Sequence, residues 1–268
     1  MCTTCGCSGN GHKLTAFPAA RKPQSLAGLT LEKEALAAVE SPADTARLEA
    51  PPPTKTVVEL ERDILDKNNR LAERNRGFFE GRNILALNLV SSPGSGKTAL
   101  LERTLADRAA QKQFYVIEGD QQTARDAERI AASGTPVVQI NTGKGCHLEA
   151  EMVNQAIRQL QPEFNSTVFI ENVGNLVCPS MFDLGEARRV VVISITEGED
   201  KPIKYPDMFR TAQLCVINKI DLLPYLQFDL EALKRYARQV NPALEFLEVS
   251  ATTGQGMEGW YSWLDHQI

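Results

Sequence analysis

From Asn83 to the C-terminus, short apolar runs alternate with longer stretches whose apolar residues recur at helical spacing. That alternation is what a parallel sheet with crossover helices produces, because its strands are covered on both faces and each crossover helix on one. The pattern predicts strands over 84–90, 114–118, 137–140, 167–171, 190–195, 214–218 and 245–249. Helices are predicted over 96–110, 124–132, 148–160, 206–211, 230–240 and 257–266. Just upstream, Val57, Leu60, Ile64, Leu71 and Phe78 mark an amphipathic helix over about 57–79, with Gly77 and Gly81 near its end. The expected fold is therefore α/β: one doubly wound, mostly parallel sheet domain over 56–268, with this helix packed onto it. Residues 13–55 are rich in Ala, Pro and small polar residues and culminate in Ala50-Pro51-Pro52-Pro53-Thr54, which reads as a flexible tether with one weak helical stretch at 30–39. Residues 1–12 stand apart as a cysteine motif.

Composition narrows the partners. With 43% apolar residues the chain can bury a sizeable core, and a formal charge of −5 leaves no basic excess for a nucleic acid or an anionic membrane. No apolar run is long enough to span a bilayer, and the polar start Met1-Cys2-Thr3-Thr4-Cys5 lacks the pattern of a signal peptide. The expected compartment is the cytoplasm, where thiols stay reduced, so clustered cysteines point to metal or redox chemistry. Three of the six cysteines lie at the start, Cys146 and Cys178 lie mid-chain, and Cys215 sits in an apolar run as an expected core residue.

Three motifs specify a guanine-nucleotide site. Ser91-Ser92-Pro93-Gly94-Ser95-Gly96-Lys97-Thr98 follows an apolar strand and opens a helix, where inward-turned N–H groups and the helix dipole can hold phosphates. Ser91 stands where the pattern's first glycine normally is. Lys97 is expected at the terminal phosphates, Thr98 at Mg²⁺, and Ala99 completes the phosphate-binding stretch. Asn218-Lys219-Ile220-Asp221 closes a late strand, as a guanine-reading loop does, and Asp221 can accept from both N1–H and the exocyclic amine of guanine. Ser250 and Ala251, at the end of the next strand, resemble the loop that supports the base through backbone N–H groups. Two acidic strand ends, Glu118-Gly119-Asp120 and Glu171-Asn172-Val173-Gly174, are candidates to sense the third phosphate. Asp120 and Glu171 could hold Mg²⁺ or orient the attacking water, and Gly174 could donate to the γ-phosphate; the alternative is that these carboxylates cap the helices that follow. The catalytic candidates are Lys97, Asp120 and Glu171.

Two sets of metal ligands are visible. Cys2-Thr3-Thr4-Cys5-Gly6-Cys7 puts three thiols within six residues, suited to Ni(II) or Zn(II) with the terminal amine as a fourth donor; a Cys-x-x-Cys redox switch is the alternative. Cys146-His147 and Cys178 each follow a neighbouring predicted strand at the phosphate edge and could meet there as a second site, unless they are simply a core cysteine and a capping histidine. Cys178 lies four residues after Gly174, so one segment could respond to both the γ-phosphate and a metal. His12 and His266 are expected to be solvent-exposed and without a role.

These residues resemble a known family, the hydrogenase nickel-incorporation GTPases called HypB. The resemblance covers about 57–268 through SSPGSGKT, EGDQQTARDAERI, GKGCHLEAEM, FIENVGNLVCP, EGEDKPIKYPDMF and NKIDLLP, and the start MCTTCGC matches members with an N-terminal nickel motif. It implies a SIMIBI-type P-loop G domain, GTP hydrolysis to GDP, nickel or zinc at Cys146, His147 and Cys178, and GTP-dependent homodimerisation. It further implies nickel transfer towards a HypA-like metallochaperone and a hydrogenase large-subunit precursor, with Lys201 and Lys204 near the dimer and nucleotide interface. No histidine-rich stretch follows the cysteine motif, so delivery is expected rather than storage. Urease accessory GTPases are similar in the P-loop but usually carry a Cys-Pro-His motif and lack this start. A GTP-binding metal sensor with negligible turnover would share every motif quoted.

Overall fold

The computed structural model describes residues 13–17, 57–121, 125–143 and 145–267. The cysteine motif Cys2, Cys5 and Cys7 and the stretch at 30–39 lie outside the described residues. Among the described residues, eight strands form one sheet in the order β1-β4-β3-β5-β2-β6-β7-β8: β1 Lys13–Phe17, β2 Leu85–Ser91, β3 Phe114–Asp120, β4 Val137–Asn141, β5 Thr167–Glu171, β6 Arg188–Ser194, β7 Leu214–Asn218 and β8 Glu245–Glu248. Every pair is parallel except β1 with β4. The helices are α1 Val57–Gly81, α2 Lys97–Arg108, α3 Arg125–Ala132, α4 Ala150–Leu160, α5 Lys201–Lys204, α6 Pro206–Arg210, α7 Leu230–Val240 and α8 Met257–Asp265, and none of those described is long and apolar enough to cross a membrane.

The sheet is doubly wound, as the alternation of apolar runs requires. On one face Leu87, Leu89, Val116 and Phe169 pack with Leu101 of α2 and Trp260 of α8, whose indole N–H donates to Thr104 Oγ1 at 2.9 Å. On the other, Ala86, Ile117, Ile140 and Ile170 pack with Phe79 of α1 and Val153 of α4, while Val191, Cys215 and Phe209 form a third cluster towards α7. Cys215 is fully buried, and burial pushes its thiol pKa up. Two polar residues of α1 fix its position. Asn68 Oδ1 accepts from the N–H of Ala150, and Asn75 Nδ2 donates to the carbonyls of Ala150 and Leu184, at 2.9, 2.8 and 3.0 Å.

One expectation is corrected. Lys13–Phe17 falls in the span read as tether, yet it pairs antiparallel with β4 at the sheet edge. Alternation explains it after the fact: Leu14 and Phe17 point to opposite faces and extend the two cores flanking β4. Five residues with one Thr and one Ala between them are too short for that pattern to stand out.

Candidate functional site

The carboxyl ends of the parallel strands gather the predicted residues at one edge, as open α/β sheets do. β2 ends at Ser91 and α2 begins at Lys97, so the intervening loop must reverse tightly, with Gly94 and Gly96 at φ 77° and 96°. Gly96 has a second reason to be glycine, because a Cβ there would lie 2.4 Å from Asn218 Nδ2. Lys97 folds back and donates to Ser91 Oγ at 2.5 Å. Its ammonium is buried, which lowers its pKa, while Glu171, Asp126 and Glu118 act in the opposite sense. The serine that replaces the usual glycine is thus a partner of the phosphate-loop lysine.

Asn218 joins this loop to the guanine-reading candidates. Its Nδ2 donates to the Ser95 carbonyl at 3.0 Å, and its Oδ1 accepts from the N–H groups of Lys219 and Ala251 at 2.8 and 3.2 Å. Lys219, left-handed at φ 64°, donates through Nζ to the Gly94 carbonyl at 2.7 Å. Asp221 Oδ1 is buried without a hydrogen-bond partner, which suits it to accept from a purine. The amides of Ser250 and Ala251, expected to face the base, are engaged by the Gln255 carbonyl and by Asn218. Those two residues brace the loop instead.

The acidic side differs. β3 and β5 are in register with Glu118 opposite Glu171, and both side chains are buried. Thr98 Oγ1 donates to Glu171 Oε1 at 2.7 Å, while Oε2 of each glutamate has no hydrogen-bond partner. Burial pushes Glu171 up to about 7, countered by Lys97 and the Thr98 hydroxyl. Burial, then the charges of Glu171, Asp120 and Asp126, push Glu118 up to about 9. A divalent cation with oxygen preference fits this arrangement, since Thr98 and Glu171 present adjacent oxygens and the excess of acid over base calls for positive charge. Asp120 lies at the half-exposed end of β3, two residues beyond Glu118. Within the strand end Glu118-Gly119-Asp120 the sequence favoured Asp120; the place of Glu118 opposite Glu171 becomes visible only once the strand register is known.

Beyond β4 the chain makes a tight turn. Gly145 N–H donates to the Thr142 carbonyl at 2.9 Å, and Thr142 Oγ1 donates to that of Gly145 at 2.8 Å. The turn delivers Cys146 and His147, and the loop after β5 delivers Cys178, so that one ligand atom from each lies within 4.8 Å of the others. Cys146 Sγ is 3.7 Å from His147 Nδ1. The imidazole stacks on Phe182, ring centroids 3.9 Å apart, and burial pushes its pKa down to about 4. It is therefore neutral at pH 7, the form that binds metals, and its Nε2 is buried without a hydrogen-bond partner. Two sulfurs and a neutral imidazole suit a soft or borderline ion such as Ni(II) or Zn(II). Leu148 anchors the turn: its side chain sits against Gly119, where a Cβ would come within 2.8 Å.

The acidic and sulfur sites share Asn172, buried directly after Glu171. Its Oδ1 accepts from the N–H groups of Leu148 and Val173 at 3.2 and 3.0 Å, and its Nδ2 donates to Asn88 Oδ1 at 3.3 Å. Sequence reasoning missed this role, although an asparagine between a strand-end acid and a glycine loop was a usable signal. Lys201 borders a cleft of about 240 Å³ with Ser92, Pro93, Gly174 and Tyr205. Lys204 is more exposed and pairs with Asp200 at 2.6 Å.

Comparison with known proteins agrees with this geometry. The family described as CobW/HypB/UreG, nucleotide-binding domain, matches residues 85–248. Hydrogenase maturation factor HypB of Escherichia coli (strain K12) is 50% identical over 287 aligned positions, covering 100% of this chain and 99% of that protein. The crystal structure of HypB from Helicobacter pylori in complex with nickel superposes with a TM-score of 0.72 at 38% identity, over 75% of this chain and 94% of that one. That of the hydrogenase maturation factor HypB from Archaeoglobus fulgidus gives 0.70 at 40% identity, over 75% and 98%.

Proposed function

The chain belongs to the CobW/HypB/UreG family and, within it, to the HypB hydrogenase maturation factors, and from that premise we propose that it hydrolyses GTP to control Ni(II) delivery during nickel–iron hydrogenase maturation. In this reading Gly94 to Ala99 and Gly174 cradle the phosphates, Asp221 reads guanine on a loop braced by Asn218, Lys219, Ser250 and Ala251, and Lys97 meets the terminal phosphates. Mg²⁺, held by Thr98 with Glu171 and Asp120, would offset charge on the phosphates. Asp120 or Glu171 would position the attacking water. Cys146, His147 and Cys178 take Ni(II) or Zn(II), and Cys2, Cys5 and Cys7 take Ni(II).

The single observation that carries the coupling is Asn172. It follows the acid bonded to the Mg²⁺-ligand candidate Thr98 and accepts from the residue next to His147, so a shift of the loop after Glu171 reaches the sulfur site through one side chain. A GTP-dependent homodimer, with Lys201 near its nucleotide, and a HypA-like acceptor that passes Ni(II) to the hydrogenase large-subunit precursor complete the reading.

The test is GTP turnover with and without Ni(II), in the parent and in Cys146→Ala. Turnover that responds to Ni(II) in the parent and not in the variant is expected. Absence of turnover would favour a non-hydrolysing metal sensor, and turnover indifferent to Cys146 would break the coupling.

A further inference from the structure

The return from β5 to β6 lacks the helix that a parallel crossover usually carries. Residues 172–187 make it with only a four-residue 3₁₀ turn, Cys178–Met181, so regular structure does little to satisfy their carbonyls. Side chains do so instead. From one side α1 donates through Asn68 Nδ2 to the carbonyl of Asp183 at 2.7 Å, Asn75 Nδ2 to that of Leu184 at 3.0 Å and Arg76 Nη1 to that of Glu186 at 2.9 Å. These contacts begin only at Asp183. The stretch nearer the sulfur site is held by Arg189, a buried residue and the second of β6. Its Nη1 donates to the Ser180 carbonyl at 3.1 Å and to Thr211 Oγ1 at 2.9 Å, and its Nη2 to the Phe182 carbonyl at 2.9 Å and to Glu186 Oε1 at 2.8 Å. Nε donates to the same Oε1 at 3.0 Å, so every N–H of the guanidinium has a partner.

This cluster continues to the other arm of the sulfur site. Glu186 Oε1 also accepts from Asn88 Nδ2 at 3.0 Å, Asn88 Oδ1 accepts from Asn172, and Asn172 Oδ1 accepts from the N–H of Leu148, beside His147. One buried chain of hydrogen bonds thus joins the turn bearing Cys146 and His147 to the segment bearing Cys178. Phe182 closes the circuit, since Arg189 holds its carbonyl while its ring stacks on His147. We propose that Arg189 is a positioning residue for the sulfur site, fixing where Cys178 and the Phe182 ring stand before a metal ion arrives. The proposal rests on the reading of Cys146, His147 and Cys178 as metal ligands. Glu186 balances the buried charge, and the planar fork of the guanidinium reaches two carbonyls at once, which the single ammonium of a lysine does not reproduce. Without that clamp, ordering the segment falls to the metal and weakens its binding.

The experiment titrates Co(II) into the full-length protein carrying Cys2→Ala/Cys5→Ala/Cys7→Ala and follows thiolate-to-metal charge-transfer absorption. Arg189→Lys in that background keeps a positive charge opposite Glu186 and gives up carbonyl contacts. Its Co(II) affinity should fall about 10- to 100-fold with a shifted charge-transfer band, while GDP affinity stays within about 2-fold because no partner of Arg189 lies in either nucleotide loop. In a Cys178→Ala background the same substitution should change Co(II) affinity by no more than about 2-fold, since the ligand it positions is gone. General loosening of the fold would give the same loss in both backgrounds. Should the lysine variant misfold, Thr211→Val, which removes one contact of Arg189 and buries no charge, repeats both comparisons with an expected loss of roughly 2- to 10-fold. Affinity and band unchanged from the background protein would overturn the proposal, as would a loss of equal size without Cys178. A background protein that binds no Co(II) would instead remove the underlying metal site.

Discussion

The two halves of the nucleotide edge are built on opposite principles. Around β7, most loop residues are closed on one another: Asn218 uses both ends of its amide and Lys219 is tied to Gly94, while Asp221 Oδ1 and, in the phosphate loop, Ser92 Oγ and Ser95 Oγ are buried without partners. Around β3 and β5, two buried glutamates face each other with an unpartnered oxygen apiece and raised pKa values. A closed hydrogen-bond set holds one geometry whatever is bound, which is what reading a base needs. Crowded acids are held in place by protons and by Lys97, and a cation changes that balance. The half proposed to discriminate is closed by hydrogen bonds, while the half proposed to report is electrostatically loaded and is the one joined to the sulfur site through Asn172.

The largest effect should come from damaging the closed half. Gly96→Ala puts a side chain at φ 96° and drives it into Asn218, which either breaks the Ser95 bond or distorts the loop. Strain of about 1–2 kcal/mol together with about 1 kcal/mol for the hydrogen bond predicts a loss of GDP affinity of roughly 100-fold by titration calorimetry. Affinity within a few-fold of the parent would show that the brace is not what shapes the site. Asp221→Asn offers a milder probe: the loop should survive, and preference should move towards xanthine nucleotides, measured by competition against GDP.

The loaded half should reveal itself through pH. An unfolded glutamate ionises near 4.5 and Glu118 in the folded protein only near 9, so between these values the unfolded state holds fewer protons and stability falls as pH rises. Glu171 adds to the fall between 4.5 and about 7. His147 acts at the acid end with the other sign: its contribution is full above 6.5 and is lost as pH drops through about 4. Lys97, lowered by burial, opposes Glu118 at the alkaline end, so the difference between parent and Glu118→Gln isolates the glutamate. Without nucleotide or Mg²⁺, the variant should gain on the parent by about 1.4 kcal/mol per pH unit from 7 to 9, a widening Tm gap of roughly 3 °C per unit in calorimetric scans. A gap that does not grow with pH would remove the loaded acid from the comparison.

This asymmetry also marks what could be read from sequence. The closed half announces itself because its residues are contiguous: Gly94 to Thr98 and Asn218 to Asp221 are each one loop at one strand end, and spacing alone puts them there. The parallel sheet that puts both loops at one edge followed from alternating apolar runs, although the strand order did not. The loaded half depends on register between β3 and β5, which pairs residues over fifty positions apart, and no local pattern encodes whether Glu118 meets Glu171 or its neighbour. The sulfur site lay between these cases. Each cysteine could be placed at a strand end, but the expectation that their two strands are neighbours is corrected, because β3 lies between β4 and β5; the stacking of His147 on Phe182 and the bond from Leu148 to Asn172 likewise needed the folded chain. β1 was hidden for a different reason, since an edge strand of five residues half-buries only two side chains and its neighbours in sequence do not continue the pattern.

The smallest predicted effect tests the joint between the loaded half and the metal. Asn172→Ala deprives the N–H groups of Leu148 and Val173 of their acceptor, and Asn88 Oδ1 of a donor, without touching any proposed ligand. A net hydrogen bond of about 0.5–1.5 kcal/mol holding the turn translates into a weakening of metal binding at Cys146, His147 and Cys178 of roughly 2- to 10-fold. GDP affinity should stay within about 2-fold, because the phosphate loop and the guanine loop are closed independently of this residue. Competition with a colorimetric zinc or nickel chelator, in a protein already lacking Cys2, Cys5 and Cys7, reads the second site alone. Equal affinities in parent and Asn172→Ala would mean that the sulfur turn holds its shape unaided, and the loaded half would then have to reach the metal through the loop carrying Cys178 instead.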